Sequence, residues 1–126
     1  MGSGRTGTLG ARAERIALHF LVRSGLTPVS SNFQSRGGEI DLVMLDDDCL
    51  VFVEVRFRTS ARFTSPEITI DARKQRKIVR TAALFLARTQ QYSSAPVRFD
   101  VVAITGDRGD GIRWIQDAFR PHDSSL

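Results

Sequence analysis

From Leu9 to Ser24, apolar side chains recur at Ala13, Ile16, Ala17, Phe20 and Leu21, the spacing of one buried helical face. Gly25 sits where such a helix stops, and Pro28 follows. The pattern then shortens its period. Val29 to Phe33 predicts a short first strand, and Gln34 to Gly38 a polar turn. Glu39 to Leu45 and Cys49 to Phe57 predict two further strands, separated by an acidic break. Asp71 is placed to cap a helix reaching about Gln90, whose buried stripe contains Ile78, Val79, Ala82 and Leu86. After Pro96, Val97 to Thr105 reads as a fourth strand, Gly106 to Gly111 as a turn and Ile112 to Ile115 as a short fifth strand. This succession predicts an α/β protein with a single domain over residues 9–120. Residues 1–8, rich in glycine, are expected to be a flexible N-terminal segment, and residues 121–126 a tail.

The two strands around the acidic break carry acids where a plain core strand would not. Pairing Leu45 with Leu50 sets Val43 against Phe52 and Asp41 against Glu54, and directly opposed Cβ atoms lie roughly 4.5–5.5 Å apart. Two carboxylates at that distance repel unless a cation lies between them. Pairing Leu45 with Cys49 instead puts the acids on opposite faces and dissolves the site. Spacing alone leaves both registers open, and ordinary solvent-facing acids remain the alternative. Against that alternative, Ile40, Leu42, Leu50 and Phe52 make both faces of the hairpin apolar, as in a sheet covered on both sides.

Composition bounds the remaining choices. A chain of 126 residues suits one core, and the single cysteine, Cys49, cannot form an internal disulfide. With no apolar run long enough to cross a bilayer and no apolar leader, the expected location is the cytoplasm, without a membrane partner. The net charge of +4 is unevenly spread: nine Arg or Lys residues lie between Arg56 and Arg88 against only Glu67 and Asp71. Such a block suits a polyanion such as nucleic acid, although a solvated helix face is the commoner meaning of a charge run.

Five stretches carry a resemblance that covers nearly the whole chain. Gly7 and Gly10 with Glu14 and Ala17, Gly38-Glu39-Ile40-Asp41-Leu42, Phe52-Val53-Glu54-Val55-Arg56, Lys74 with Lys77, and Arg98-Phe99-Asp100-Val101-Val102 are similar to the YraN-like family. That family is a largely uncharacterised set of small bacterial proteins described as candidate endonucleases. It resembles the restriction-endonuclease-like PD-(D/E)XK superfamily and, within it, the archaeal Holliday-junction resolvases. The resemblance implies a three-layer α/β/α fold with a mixed central sheet, core order α-β-β-β-α-β, and a magnesium- or manganese-dependent endonuclease acting on DNA, more than RNA, including branched or structured DNA. It implies that Asp41, Glu54 and the backbone carbonyl of Val55 hold the metal and that Glu14 reaches the same cluster. Glu39 would be a supporting neighbour, and a homodimer is consistent with junction-processing relatives.

Arg56 departs from the lysine usual two residues after the second acid. An arginine stays protonated, so it is no general base, but it clamps phosphate oxygens and stabilises developing negative charge. Arg73, Lys74, Arg76, Lys77 and Arg80 crowd the start of the second helix, where cations oppose the helix dipole at a cost of about 0.3–1 kcal/mol each. That placement favours a phosphate-binding role, with Arg58 and Arg62 bracketing a backbone from the preceding loop. Lys74 or Lys77 are also candidates to supply the missing ammonium. Arg98 and Asp100 are expected to form a structural ion pair, while His19, His122 and Cys49 belong to no ligand cluster. Two function classes follow: a metal-dependent endonuclease, and a nucleic-acid-binding module that keeps the fold without efficient cleavage.

Overall fold

The computed structural model describes residues 8–58, 70–106 and 111–121. Helix α1 (Thr8–Arg23) ends as its sequence predicts: Gly25 takes φ 105°, Gly25 N–H bonds to the Val22 carbonyl, and Leu26 N–H reaches back to that of Leu21. This double closure satisfies carbonyls that the helix end leaves open.

Five strands follow as one sheet in the order β1-β2-β3-β4-β5: β1 (Thr27–Ser35), β2 (Gly38–Asp46), β3 (Cys49–Arg58), β4 (Val97–Thr105) and β5 (Gly111–Phe119). Strands β3 and β4 run parallel, the other neighbours antiparallel. A parallel pair requires a crossover, and α2 (Ala72–Arg88) lies on that connection. Asp71 caps α2 by accepting a 2.8 Å hydrogen bond from Lys74 N–H.

Alternation along the central strands divides the core between two layers. Leu42, Met44, Val51, Val53 and Val55 pack with Ala13, Ala17 and Leu21 of α1. Val43, Leu50 and Phe52 pack on the other face with Ile78, Val79, Ala82 and Phe85 of α2. The molecule is therefore a three-layer α/β/α sandwich with its helices in the expected order. Where β2 begins, Gly38 lets α2 approach closely, because a Cβ there would stand 2.9 Å from the buried Thr81 hydroxyl.

Two strand expectations need correction. Strand β1 is longer than Val29–Phe33, since an edge strand can pair without a strong apolar pattern. Strand β5 is nine residues long and does not stop at Ile115. Asp117 adopts φ 55° and interrupts the alternation, but pairing resumes where Phe119 opposes Phe99 with their rings stacked 5.1 Å apart. The acidic break is also tighter than expected, with Asp46 already paired to Cys49.

Candidate active site

The β2–β3 hairpin adopts the first of the two registers: Leu45 opposes Leu50, Val43 opposes Phe52 and Leu42 opposes Val53. Beyond Leu42, Asp41 turns its carboxylate onto the backbone of β3, where Oδ2 accepts a 2.8 Å hydrogen bond from Val55 N–H. Asp41 is 1% exposed and Glu54 6%. Burying two carboxylates is costly unless cations or donors compensate them.

The compensating groups come from both helix layers. Lys74, in the first turn of α2, places Nζ 3.2 Å from Glu54 Oε2. The contact is an ion pair without hydrogen-bond alignment, so this buried oxygen still lacks a hydrogen-bond donor among the described residues. At 100° per residue, Lys74 heads the row that continues through the buried Ile78, Thr81 and Phe85, which aims its ammonium toward the sheet. Arg73, Arg76, Lys77 and Arg80 are exposed on the outward side of α2.

On the opposite layer, Glu14 is 7% exposed and its Oε1 accepts a 3.0 Å hydrogen bond from Asn32 Nδ2. Ser31 and Phe33 pair with Leu42 and Ile40, so Asn32 stands opposite Asp41. Asn32 has φ 53°, a left-handed conformation that asparagine tolerates better than most residues. Facing it, Ile40 packs in the α2-side core while Leu42 packs in the α1-side core, so strand alternation breaks at Asp41. The result is a polar seam through the sheet: Glu14, Asn32, Asp41, the Val55 amide, Glu54 and Lys74. Asn32 was missed in the sequence; its only signal is an asparagine inside the predicted first strand.

Among the described residues, no three His, Cys, Asp or Glu side chains converge to hold a metal by themselves. The oxygen donors along the seam are the Asp41, Glu54 and Glu14 carboxylates and the backbone carbonyl of Val55, with Glu14 Oε1 held by Asn32. An all-oxygen set with a buried, donor-free carboxylate oxygen at Glu54 fits a hard divalent cation. Glu39 faces away to Gln34, whose Nε2 donates to Glu39 Oε1 at 3.1 Å.

Arg56 is half-buried and makes no side-chain hydrogen bond or ion pair among the described residues. Two positions along from Glu54, it shares the Glu54 face of β3. Arg58 ends β3 opposite Thr105. Arg62 and His122 lie outside the described residues.

A second polar cluster is structural. Asp100, 1% exposed, receives both Nε and Nη2 of Arg98 at 2.9 and 3.0 Å, Trp114 Nε1 at 2.9 Å and the Asp117 amide at 2.9 Å. Arg98 also donates from Nη1 to Asp46 at 3.0 Å, and its hydrogen bonds to Asp100 raise its pKa further. Cys49 lies beside this cluster, where burial pushes its thiol up. That shift disfavours a thiolate nucleophile.

The model of "Uncharacterised protein family UPF0102" matches residues 13–104, a span that contains the whole seam. A UPF0102 protein of Saccharophagus degradans is 48% identical over 110 residues, covering 87% of this chain and 91% of the relative. Similar relatives, also UPF0102 proteins, occur in Pseudomonas putida (strain W619), 46% identical over 87% of this chain and 91% of theirs, and in Methylobacillus flagellatus, 45% identical over 88% and 96%. Among the described residues no helix is long and apolar enough to cross a membrane.

Proposed function

The chain belongs to the UPF0102 family, the YraN-like family its motifs resemble, and we propose that it is a metal-dependent endonuclease whose acids Asp41 and Glu54 bind Mg2+ or Mn2+ and whose substrate is DNA. The observation that carries this reading is the Glu54 carboxylate, buried next in the chain to the Val55 amide that holds Asp41, with one oxygen that has an ammonium near it but no hydrogen-bond donor. A purely structural acid at that depth normally has its hydrogen bonds filled, as Asp100 does. When bound, a divalent ion supplies Lewis-acid stabilisation of phosphate charge and lowers the pKa of water.

The chain's own residues divide the remaining work. The Val55 amide fixes the Asp41 carboxylate, so its oxygens are held in one orientation. Glu14, its Oε1 held by Asn32, assists as the third acid and would join Asp41 and Glu54 at the metal. Lys74 supplies the ammonium that the usual motif takes from the position occupied here by Arg56, offsetting Glu54 and meeting an incoming phosphate. Arg56 then clamps a phosphate oxygen and stabilises charge as the phosphorus–oxygen bond breaks. The exposed cations on α2 bind the phosphodiester backbone on either side of the scissile bond. Branched DNA and a homodimeric assembly belong to the same reading.

Incubation with supercoiled plasmid, single-stranded DNA and four-way-junction DNA, in Mg2+, Mn2+ or EDTA, tests the proposal. Wild-type protein nicks at least one substrate with metal and none with EDTA. Glu54→Gln and Asp41→Asn each lose about 100-fold or more, the order expected when a group acting on transition-state charge is removed. Salt-sensitive binding without nicking under any condition would instead support a binding module that has kept the fold.

A further inference from the structure

The outer face of α1 carries a second basic surface, on the opposite side of the sheet from α2. Arg12, Arg15, His19 and Arg23 lie within one ridge at 100° per residue, and with Phe20 and Ile112 of β5 they line an open cavity of about 660 Å³. All four are exposed. The side chains of Arg15, His19 and Arg23 make no hydrogen bond or ion pair among the described residues. No acid lies three or four residues from them within the helix, and Arg12 and Arg15, like charges three residues apart, disfavour it. Arg23 alone is favoured by the helix dipole, being in the last turn. The groove's other wall is apolar: Phe20 is half-buried and braced edge-on by Trp114, ring centroids 5.9 Å apart.

We infer that this groove binds single-stranded nucleic acid, with the arginines on successive phosphates and Phe20 and Ile112 against a base. The inference rests on the nucleic-acid reading above and adds a second contact surface to it. A cationic ridge beside an aromatic wall is the arrangement by which proteins hold single strands with little sequence preference. The ridge extends roughly 16 Å along the helix axis, room for several phosphates. Glu54 meets Lys74 on the α2 side of the sheet, so the groove is a contact surface separate from that carboxylate. The substrate this selects includes a single-stranded segment.

Fluorescence anisotropy with the full chain in EDTA tests the groove without cleavage. The probes are a labelled oligothymidine strand and a blunt duplex of equal length, each titrated at several salt concentrations. Arg15→Ala/Arg23→Ala is expected to bind the strand about tenfold more weakly, to flatten its logarithmic salt dependence by about 1.4, and to change duplex affinity less than about twofold. Arg15→Lys/Arg23→Lys keeps the salt dependence and controls for folding. Unchanged strand affinity, or equal losses on both probes, would overturn the inference. So would retention of anionic lipid vesicles, but not the oligonucleotide, by these arginines. Glu54-dependent plasmid nicking with Mn2+, measured in parallel, separates the readings. Nicking with an insensitive groove removes only the groove, and a sensitive groove without nicking removes only the nuclease.

Discussion

Glu54 and Lys74 define the site at the level of single side chains. An ammonium 3.2 Å from a buried carboxylate oxygen, without hydrogen-bond alignment, leaves Glu54 with acceptor capacity that no other described group fills. Replacing Lys74 by methionine removes the ammonium while keeping much of the apolar stem. Lys74→Met is expected to lower metal-dependent cleavage by about 10–100-fold, with DNA binding in EDTA reduced less than about threefold. Arg56→Lys is expected to keep activity within about tenfold of wild type, since both cations stabilise phosphate charge. Single-turnover rates on one substrate measure both. An unchanged Lys74→Met rate would remove Lys74 from the chemistry. The sequence made the Leu45–Leu50 register legible because face alternation allows only two choices, but not the break in alternation at Asp41. It named Lys74 as a candidate ammonium but not its distance, which depends on how α2 docks. Asn32 was invisible because its importance lies in a left-handed backbone angle and an eighteen-residue reach to Glu14.

At the scale of elements, apolar spacing carried most of the fold. Helix α1, its glycine stop, the three central strands and the Asp71 cap all appear where their periodicity placed them. Strand β5 did not, because Gln116 and Asp117 break the apolar alternation that would have extended it. Its last residues are held by the Asp117 amide bonding to Asp100 and by Phe119 stacking on Phe99. Asp100 therefore ties β5 to β4 and, through Arg98, to Asp46 at the end of β2. Asp100→Ala leaves the Arg98 guanidinium and Trp114 N–H without their buried acceptor, a loss of about 3–5 kcal/mol on the scale of broken buried pairs. Urea denaturation is expected to show that loss in the midpoint. A change below about 1 kcal/mol would mean that the cluster does not fasten these strands.

Across the whole molecule, charge is divided between the two helical layers while the acids lie inside the sheet. The basic block seen along the chain becomes the exposed side of α2, with Arg73, Arg76, Lys77 and Arg80 outward and Lys74 turned in. Arg73→Ala/Arg76→Ala is expected to weaken duplex binding and to flatten its logarithmic salt dependence by about 1.8, as two phosphate contacts disappear. An unchanged salt dependence would return those cations to the role of a solvated face. Net charge alone showed none of this arrangement, because +4 is the sum of a basic middle and slightly acidic ends. The central claim is that the interior acids form a divalent-metal site. Isothermal titration of Mn2+ tests it most directly. Wild-type protein is expected to bind at one saturable site that Glu54→Gln and Asp41→Asn each abolish while remaining folded; equal binding by all three proteins, or none by the wild type, would contradict it.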